Sequence, residues 1–295
     1  MTARSMRLAC AAAAVTLVAA CEAGPEEATE LDVVATTSIL GDVTTEIVGD
    51  AGTVETLIPT GADPHEYQAS ASQAASVRDA DLVISNGLGL EEGLEDVVRA
   101  ASEAGVPVLE LAPQLDPIDD DPHVWLDPLR IADGARLIGD ELNGLAENGP
   151  DWSAQAESYA EELESLHDEA EEILSAVPAD RRQLVTDHDS LRYFAQRYEF
   201  TVLGTIVPGV SPLAAPTAQR LNELASLIEE QDVPAIFLDV ATSDTVAQAL
   251  RREAATDIEI VRLHIGSLGE EGSAAATYEG LVIDNAGRIA DALGG

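Results

Sequence analysis

Cysteine is almost absent from this 295-residue sequence. Its two cysteines are Cys10, inside an apolar run near the N-terminus, and Cys21, where that run stops. Beyond Cys21 the chain cannot form an internal disulfide, and it has no Cys-x-x-Cys motif for metal or redox chemistry. Stability must therefore come from an apolar core, for which a hydrophobic content of 46% is ample.

Lysine is absent altogether. Fifteen basic residues, all of them arginines, face 55 acidic residues, which gives a net charge of -40 at pH 7. A surface this acidic repels nucleic acid and anionic membranes, so we expect neither as a partner. It also concentrates cations, although high solubility or a salty habitat would explain the same charge.

Motifs of the common enzyme classes are missing as well. The sequence has no HExxH helix, no Walker loop and no GxSxG elbow. Gly87-Leu88-Gly89 is too short a pattern to indicate dinucleotide binding. No motif therefore predicts a reaction.

The N-terminal apolar run, residues 8–20, is too short to cross a bilayer as a helix. Its basic start and small final residues are typical of a signal peptide, and Cys21 follows as in a bacterial lipobox. We predict a signal peptide over 1–20, then a lipidated Cys21 and an acidic tether over 21–30 that anchor the protein to the cell membrane. An ordinary cleaved signal with an incidental cysteine is the alternative.

Short apolar runs alternate with helical patterns along the rest of the chain, which predicts a parallel α/β fold. The predicted strands are LDVVAT (31–36), TVETLIP (53–59), DLVISNG (81–87), VPVLEL (106–111), QLVT (183–186), TVLGTIV (201–207), AIFLDV (235–240) and IEIVRL (258–263). They form two blocks of four strands with their helices, over 31–147 and 179–295.

One long helical pattern separates these blocks. Apolar residues recur at steps of three, four and seven over 151–176, at Trp152, Tyr159, Leu163, Leu166, Ala170 and Ile173. We predict a connector helix within 148–178, about 37 Å long at 1.5 Å per residue, that spans both blocks.

Three of the five histidines follow predicted strands, where ligands of parallel α/β proteins bind. They are His65, His123 and His188, and each has acidic neighbours in sequence: Asp63 and Glu66, Asp121 and Asp127, Asp187 and Asp189. A single loop histidine is usually solvated, but three at comparable positions favour a metal site. Neutral imidazole binds zinc and similar metals, and a carboxylate commonly orients the ring.

The other two histidines have different contexts. His167 lies beside the apolar stripe of the connector, and we interpret it as structural or solvated. His264 ends the last predicted strand and remains ambiguous.

Five segments together resemble the solute-binding lipoproteins of bacterial zinc and manganese ABC importers. They are GADPHEY, DLVISNGLGLE, DPHVWLDP, TDHDSLRYFAQRY and TYEGLVIDN, in the right order over nearly the whole chain after the tether. The resemblance implies two α/β lobes, each a four-stranded mainly parallel sheet with flanking helices, joined by one long helix. It also implies a metal ion in the cleft between the lobes and no enzymatic activity.

The resemblance implies ligands residue by residue. His65 and His123 match the two ligands of the N-terminal lobe, and His188 matches one from the C-terminal lobe. That third position is commonly histidine in zinc binders and glutamate in manganese binders, so we expect Zn²⁺ rather than Mn²⁺. Nitrogen-rich tetrahedral sites suit zinc on chemical grounds too.

The fourth ligand departs from the family pattern. Gly266 stands where the family usually has an aspartate, and we expect Asp239 to substitute for it. His264, Glu66 or a water molecule are the alternatives. The loop before His123 is also unusual, because it carries Asp116, Asp119, Asp120 and Asp121 where zinc-type members often carry histidines. These acids either gather cations loosely or are simply solvated.

The sequence therefore predicts a monomeric extracytoplasmic protein that binds zinc and delivers it to the permease of an ABC importer. Three alternatives stay open: a manganese carrier, a surface adhesin with a structural metal, and an extracellular zinc hydrolase with Glu66 as its base.

Overall fold

Two parallel sheets organise the chain in a computed structural model that describes residues 30–146, 149–214, 216–253 and 258–294. The first sheet has the order β2-β1-β3-β4, and every pairing in it is parallel. Its strands are β1 (Leu31–Ala35), β2 (Gly52–Thr56), β3 (Leu82–Ser85) and β4 (Val108–Glu110). The accompanying helices are α1 (Ser38–Val48), α2 (Ala71–Asp79), α3 (Glu95–Ala104) and α4 (Pro128–Leu145).

The second sheet repeats this arrangement with the order β6-β5-β7-β8, again with parallel pairings throughout. Its strands are β5 (Gln183–Thr186), β6 (Thr201–Thr205), β7 (Ala235–Asp239) and β8 (Glu259–Leu263). The helices of this half are α6 (Arg192–Arg197), α7 (Ala218–Gln231), α8 (Asp244–Glu253) and α9 (Tyr278–Gly294). The predicted fold class, two four-stranded α/β sheets, is confirmed.

The predicted connector is α5, which runs from Trp152 to Leu174. The Asp151 side chain caps its first turn by accepting a hydrogen bond from the Ala154 amide. Its predicted apolar stripe is buried except at the end, where Ile173 is only partly buried and Leu174 faces the core. A helix with a single apolar stripe needs a partner surface, and α4 provides it.

Helices α4 and α5 approach each other closely at Gly139. A Cβ atom at that position would lie 2.5 Å from the Ala156 Cβ and 2.7 Å from the Trp152 carbonyl oxygen. One apolar cluster then continues through both halves, from Val33 of β1 by way of Leu163 of α5 to Phe237 of β7. The connector is thus part of a shared core, which favours a stiff relation between the two sheets.

Several predicted strands were too long. The strand expected over 53–59 ends at Thr56, and pairing stops completely at Pro59, which has no amide hydrogen to donate. The strands expected over 81–87, 106–111 and 201–207 span only Leu82–Ser85, Val108–Glu110 and Thr201–Thr205. After β3 the chain forms a loop in which Leu88 and the glycines on either side of it adopt positive φ.

The predicted signal peptide, Cys21 and tether lie outside the described residues, apart from Glu30. None of the helices in the described part of the chain is both long and apolar enough to cross a membrane.

Candidate metal centre

His65 is placed by the loop that follows β2. The Asp63 side chain accepts a hydrogen bond from the His65 amide at 2.9 Å, which fixes a tight local turn. The loop also contacts the second half of the molecule, where the Gly61 amide donates a hydrogen bond to Ser267 Oγ at 2.6 Å. His65 is buried as a result.

His123 is held from both its backbone and its ring by one carboxylate. Asp121 Oδ1 accepts from the His123 amide at 3.0 Å and pairs with its ring Nδ1 at 2.7 Å. The ring also lies against Trp125, with the ring centroids 5.3 Å apart. With Nδ1 engaged, Nε2 is the nitrogen left to face a ligand.

His188 is held in the same way from the second half. Asp187 Oδ1 accepts from the His188 amide at 2.8 Å and pairs with Nδ1 at 2.9 Å. The other oxygen of Asp187 accepts from the Asp239 amide at 2.9 Å and from the Thr242 hydroxyl. Asp187 is therefore fully engaged and fixes the orientation of the His188 ring.

The three imidazoles converge on one point. One ring nitrogen from each of His65, His123 and His188 lies within 4.8 Å of the others, and all three residues are buried. The Nε2 atoms of His123 and His188 are 3.2 Å apart. These side chains line a cavity of about 10 Å³, which is the size of a single water molecule or ion. Pro64, Pro212 and Ile265 complete its apolar walls.

Asp239 lines the same cavity but is not part of that three-histidine group. Its Oδ1 accepts from the Ala241 amide at 2.6 Å, and its Oδ2 accepts from the amides of Ile265 and Gly266 at 3.1 and 2.6 Å. A Cβ atom on Gly266 would lie 3.6 Å from Asp239 Oδ2, so the two positions are neighbours. Asp239 consequently stands beside the place of the missing family aspartate, with both oxygens held by backbone amides.

The alternatives for the fourth ligand lie elsewhere. Glu66 is exposed. The backbone of His264 is fixed to α9, with its amide donating to Asn285 Oδ1 at 2.9 Å. Neither side chain lines the cavity or belongs to the histidine group.

The pKa values of the three imidazoles are shifted in different directions. Burial, helped by the other two imidazoles, lowers the pKa of His65 to about 3. Burial and the charge of His188 also lower the pKa of His123 well below its usual range. Burial acts in the same direction on His188, but the hydrogen bond and charge of Asp187 outweigh it and leave the pKa of His188 raised. The shifts favour His188 over His65 and His123 as the ring that is protonated, and in that form its Nε2–H can donate to Nε2 of His123.

Asp187 shows the reciprocal effect. Burial would raise its pKa, but the hydrogen bond and charge of His188, with further hydrogen bonds from Thr242 and Asp239, leave the pKa lowered. Burial does raise the pKa of Asp239, to about 6, although the amides of Ala241 and Gly266 oppose it. The directions of these pKa shifts favour neutral rings at His65 and His123 and a charged pair formed by His188 and Asp187.

Of the two acidic sequence neighbours of His123, only Asp121 orients its ring. Asp121 holds His123, whereas Asp127 forms a bidentate pair with Arg197, at 2.7 Å for each bond. Sequence reasoning did not identify Trp125 as part of the site. Its indole Nε1 donates to the Ile265 carbonyl at 2.7 Å and joins the two halves beside His123.

The acidic loop before His123 agrees with the expectation of solvated acids at Asp116, Asp119 and Asp120, which are exposed, and differs from it at Asp121. Asp121 is fully buried and orients His123, and Asp119 forms an ion pair with Arg192 at 2.9 Å. Asp120 is exposed, as expected for a solvated acid.

Comparison with known proteins decides the family. A family model, ZnuA, described as zinc-uptake complex component A periplasmic, matches residues 33–292. The chain belongs to this family. It is accordingly a solute-binding component of a metal ABC importer and not an enzyme, which leaves the hydrolase alternative without support.

Relatives of this ZnuA-family chain carry names with different metals. It is 31% identical over 263 residues to the manganese-binding lipoprotein MntA of Halalkalibacterium halodurans, covering 86% of this chain and 85% of MntA. It is 30% identical over 273 residues to the zinc-binding protein TroA of Treponema pallidum, covering 88% of each chain. A solved structure of the periplasmic zinc-binding protein TroA from Treponema pallidum superposes with a TM-score of 0.83 at 27% identity, covering 90% of this chain and 99% of that one. The family is therefore established, and the choice of metal is not decided by the relatives.

Proposed function

We propose that this chain captures Zn²⁺ outside the cytoplasm and delivers it to the permease of an ABC importer. The observation that carries the proposal is the convergence of three buried imidazoles on an ion-sized cavity, two of them with Nδ1 held by a carboxylate. An imidazole oriented in this way is a typical zinc ligand.

His65, His123 and His188 are the proposed ligands. Binding replaces the proton shared by Nε2 of His188 and His123, so the ion takes the place of an existing hydrogen bond. Asp239 is the carboxylate that can complete the coordination, through the acceptor site of Oδ1 that the Ala241 amide leaves free or by release of one backbone amide. A water molecule in the fourth position is the alternative.

Negative charge supports capture, because a net charge of -40 attracts cations toward the molecule before any contact is made. The shared core through the connector supports a small, stiff movement of the halves on binding and release. The division into lobes over 31–147 and 179–295 stays a prediction, as does the monomeric state.

Anchoring to the membrane is also a proposal. Relatives of this chain are named as lipoproteins, and the lipobox-like stretch before Cys21 supports the same modification here. Mass spectrometry of the protein isolated from membranes would test it. An unmodified Cys21, or its absence from the processed chain, would contradict the proposal.

The metal proposal is tested by competition. The protein, purified without a metal-binding tag and stripped of metal, is offered Zn²⁺ and Mn²⁺ together, and the bound metal is quantified. We expect one exchangeable Zn²⁺ per chain. His188→Ala should weaken binding by more than about 100-fold, beyond the range typical of changes to orienting residues.

His167→Ala is the matched control, because this half-buried histidine lies on α5 and contacts Tyr198 rather than the centre. Its zinc affinity should equal that of the wild type. Preferential Mn²⁺ binding would reassign the cargo to manganese, the metal in the name of MntA. Metal that stabilises the fold but does not exchange with chelators would favour the adhesin alternative. No stoichiometric metal would refute the proposal.

A further inference from the structure

A buried tyrosine of the second half makes two hydrogen bonds to the loop before His123. Tyr193 lies in α6 and is 1% exposed. Its hydroxyl oxygen accepts from the Ile118 amide at 3.0 Å, and its hydroxyl hydrogen is donated to the Asp121 carbonyl at 2.7 Å. A single hydroxyl thereby bridges the two ends of the turn formed by residues 118–121.

That turn has one backbone hydrogen bond of its own and one residue in a sparsely populated conformation. Its own hydrogen bond runs from the Asp121 amide to the Ile118 carbonyl at 3.1 Å. Inside it, Asp119 has φ +52°, in the left-handed region that side chains other than glycine rarely adopt. The hydroxyl of Tyr193 closes the turn from outside and fixes its backbone.

The backbone of Asp121 in turn determines where His123 points. Asp121 Oδ1 carries both hydrogen bonds to His123, from its amide and from its ring. Asp121 Oδ2 is buried and has no hydrogen-bond partner among the described residues. The carboxylate is therefore not held from its far side, and the backbone position is what sets its direction.

The same short segment of the second half carries both the tyrosine and a proposed ligand. His188 precedes α6, and Tyr193 is the second residue of that helix. Arg192, beside it, adds an exposed ion pair to Asp119 at 2.9 Å. A displacement of this segment would move the His188 ring and the support of His123 together.

We propose that Tyr193 is a positioning residue for the metal centre, acting on His123 through the turn and Asp121. The proposal rests on the proposed metal-binding function and extends it. Tyr193 does not touch the ion. Its hydroxyl instead makes the geometry of a ligand from the first half depend on the position of the second half.

The test is Tyr193→Phe, which keeps the ring and removes only the hydroxyl. We expect the zinc dissociation constant and the rate of zinc release to a chelator to rise about 10-fold, the lower end of the range for orienting groups. Tyr198→Phe is the control, because this buried tyrosine directly follows α6 and its hydroxyl lies 3.4 Å from His167. Its zinc affinity should stay within about twofold of the wild type, since its hydroxyl does not orient a ligand.

A double-mutant cycle distinguishes positioning of His123 through Asp121 from a nonspecific loss of order in the protein. Asp121→Ala removes the carboxylate through which Tyr193 is proposed to act, so adding Tyr193→Phe to it should change zinc affinity by less than about twofold. An undiminished effect in the Asp121→Ala background would overturn the proposal. Wild-type affinity and release rate in folded Tyr193→Phe would overturn it too.

A second test uses the wild-type protein and therefore does not require any variant to fold. Because coupling between sites is reciprocal, zinc binding should slow hydrogen exchange of the Ile118 amide, which donates to Tyr193. Unchanged exchange of this amide in a protein that binds zinc would contradict the link. Absence of zinc binding in the wild type would instead refute the proposed function, so the two failures are distinguishable.

Discussion

Metal binding should release about one proton per ion at pH 6.5, although three histidines are the proposed ligands. The pKa values of His65 and His123 are lowered, so both rings are already neutral at this pH. The pKa of His188 is raised above its usual 6.5, so this ring is more than half protonated and must lose its proton when a metal binds. Burial raises the pKa of Asp121 and of Asp239 to about 6, which leaves both mostly ionised.

The sign of the pH dependence follows from this count. As pH falls through the raised pKa of His188, each pH unit should cost about a factor of ten in metal affinity, or about 1.4 kcal/mol. Below about pH 6, protonation of Asp121 and Asp239 should make this fall steeper. Affinity should stop changing once pH rises above that pKa. The neutral His65 and His123 contribute nothing to the slope until much lower pH.

Asp187→Asn tests the physical cause. The amide can still accept the hydrogen bond from Nδ1 of His188, but the charge that raises the pKa of His188 is gone. Burial is then opposed by the charges of Asp239 and Asp63 without that of Asp187, so the pKa of His188 should fall. At pH 6.5 proton release should fall well below that of the wild type, and the fall of affinity with acidification should begin at lower pH.

The assay is isothermal titration calorimetry of zinc binding in buffers with the same pKa and different ionisation enthalpies, which counts protons directly. Asp189→Asn is the control, because Asp189 neighbours Arg192 at 4.0 Å and makes no hydrogen bond to the His188 ring. The charge of Asp189 also acts on His188, but without a hydrogen bond to the ring, so the proton count of Asp189→Asn should fall less than that of Asp187→Asn. Release of two or three protons by the wild type, or an unchanged count in Asp187→Asn, would refute the reasoning.

Two further predictions concern packing and the neighbour of Gly266. Gly139→Ala should lower the free energy of unfolding by about 2 kcal/mol, because its Cβ would overlap the adjacent helix α5. Gly144→Ala, on the same helix and with open space around its Cβ among the described residues, should raise it by about 0.5–1 kcal/mol. Urea denaturation measures both, and equal effects would contradict the close approach of the helices. Asp239→Asn should reduce zinc affinity about 10-fold while one ion still binds. The substitution removes the negative charge and leaves one oxygen instead of two to accept from the backbone amides. Unchanged affinity in calorimetry would show that Asp239 plays no part in the centre.

Much of this protein can be predicted from the sequence, because the relevant patterns are local. Alternation of apolar runs and helical stripes indicated two four-stranded parallel sheets, and the long stripe at Trp152, Tyr159 and Leu163 indicated the connector. Histidines in the loops that follow β2 and β5 lie beyond the carboxyl ends of parallel strands, so the sequence predicted that His65 and His188 would come together, and the structure brings them together with His123. Composition further excluded an internal disulfide beyond Cys21 and made nucleic acid an implausible partner.

Only the tertiary structure decided how those residues meet. Whether Asp121 or Asp127 orients His123 depends on the turn held by Tyr193, a contact between residues 72 positions apart in sequence. Contacts of this kind come from packing of the two halves around a shared core, and no local periodicity records them. The raised pKa of His188 has the same origin, because it needs the burial and the fixed partner Asp187 that the folded chain provides. Sequence determined which chemistry is present, and packing determined which groups are neutral, which are charged and which are held in place.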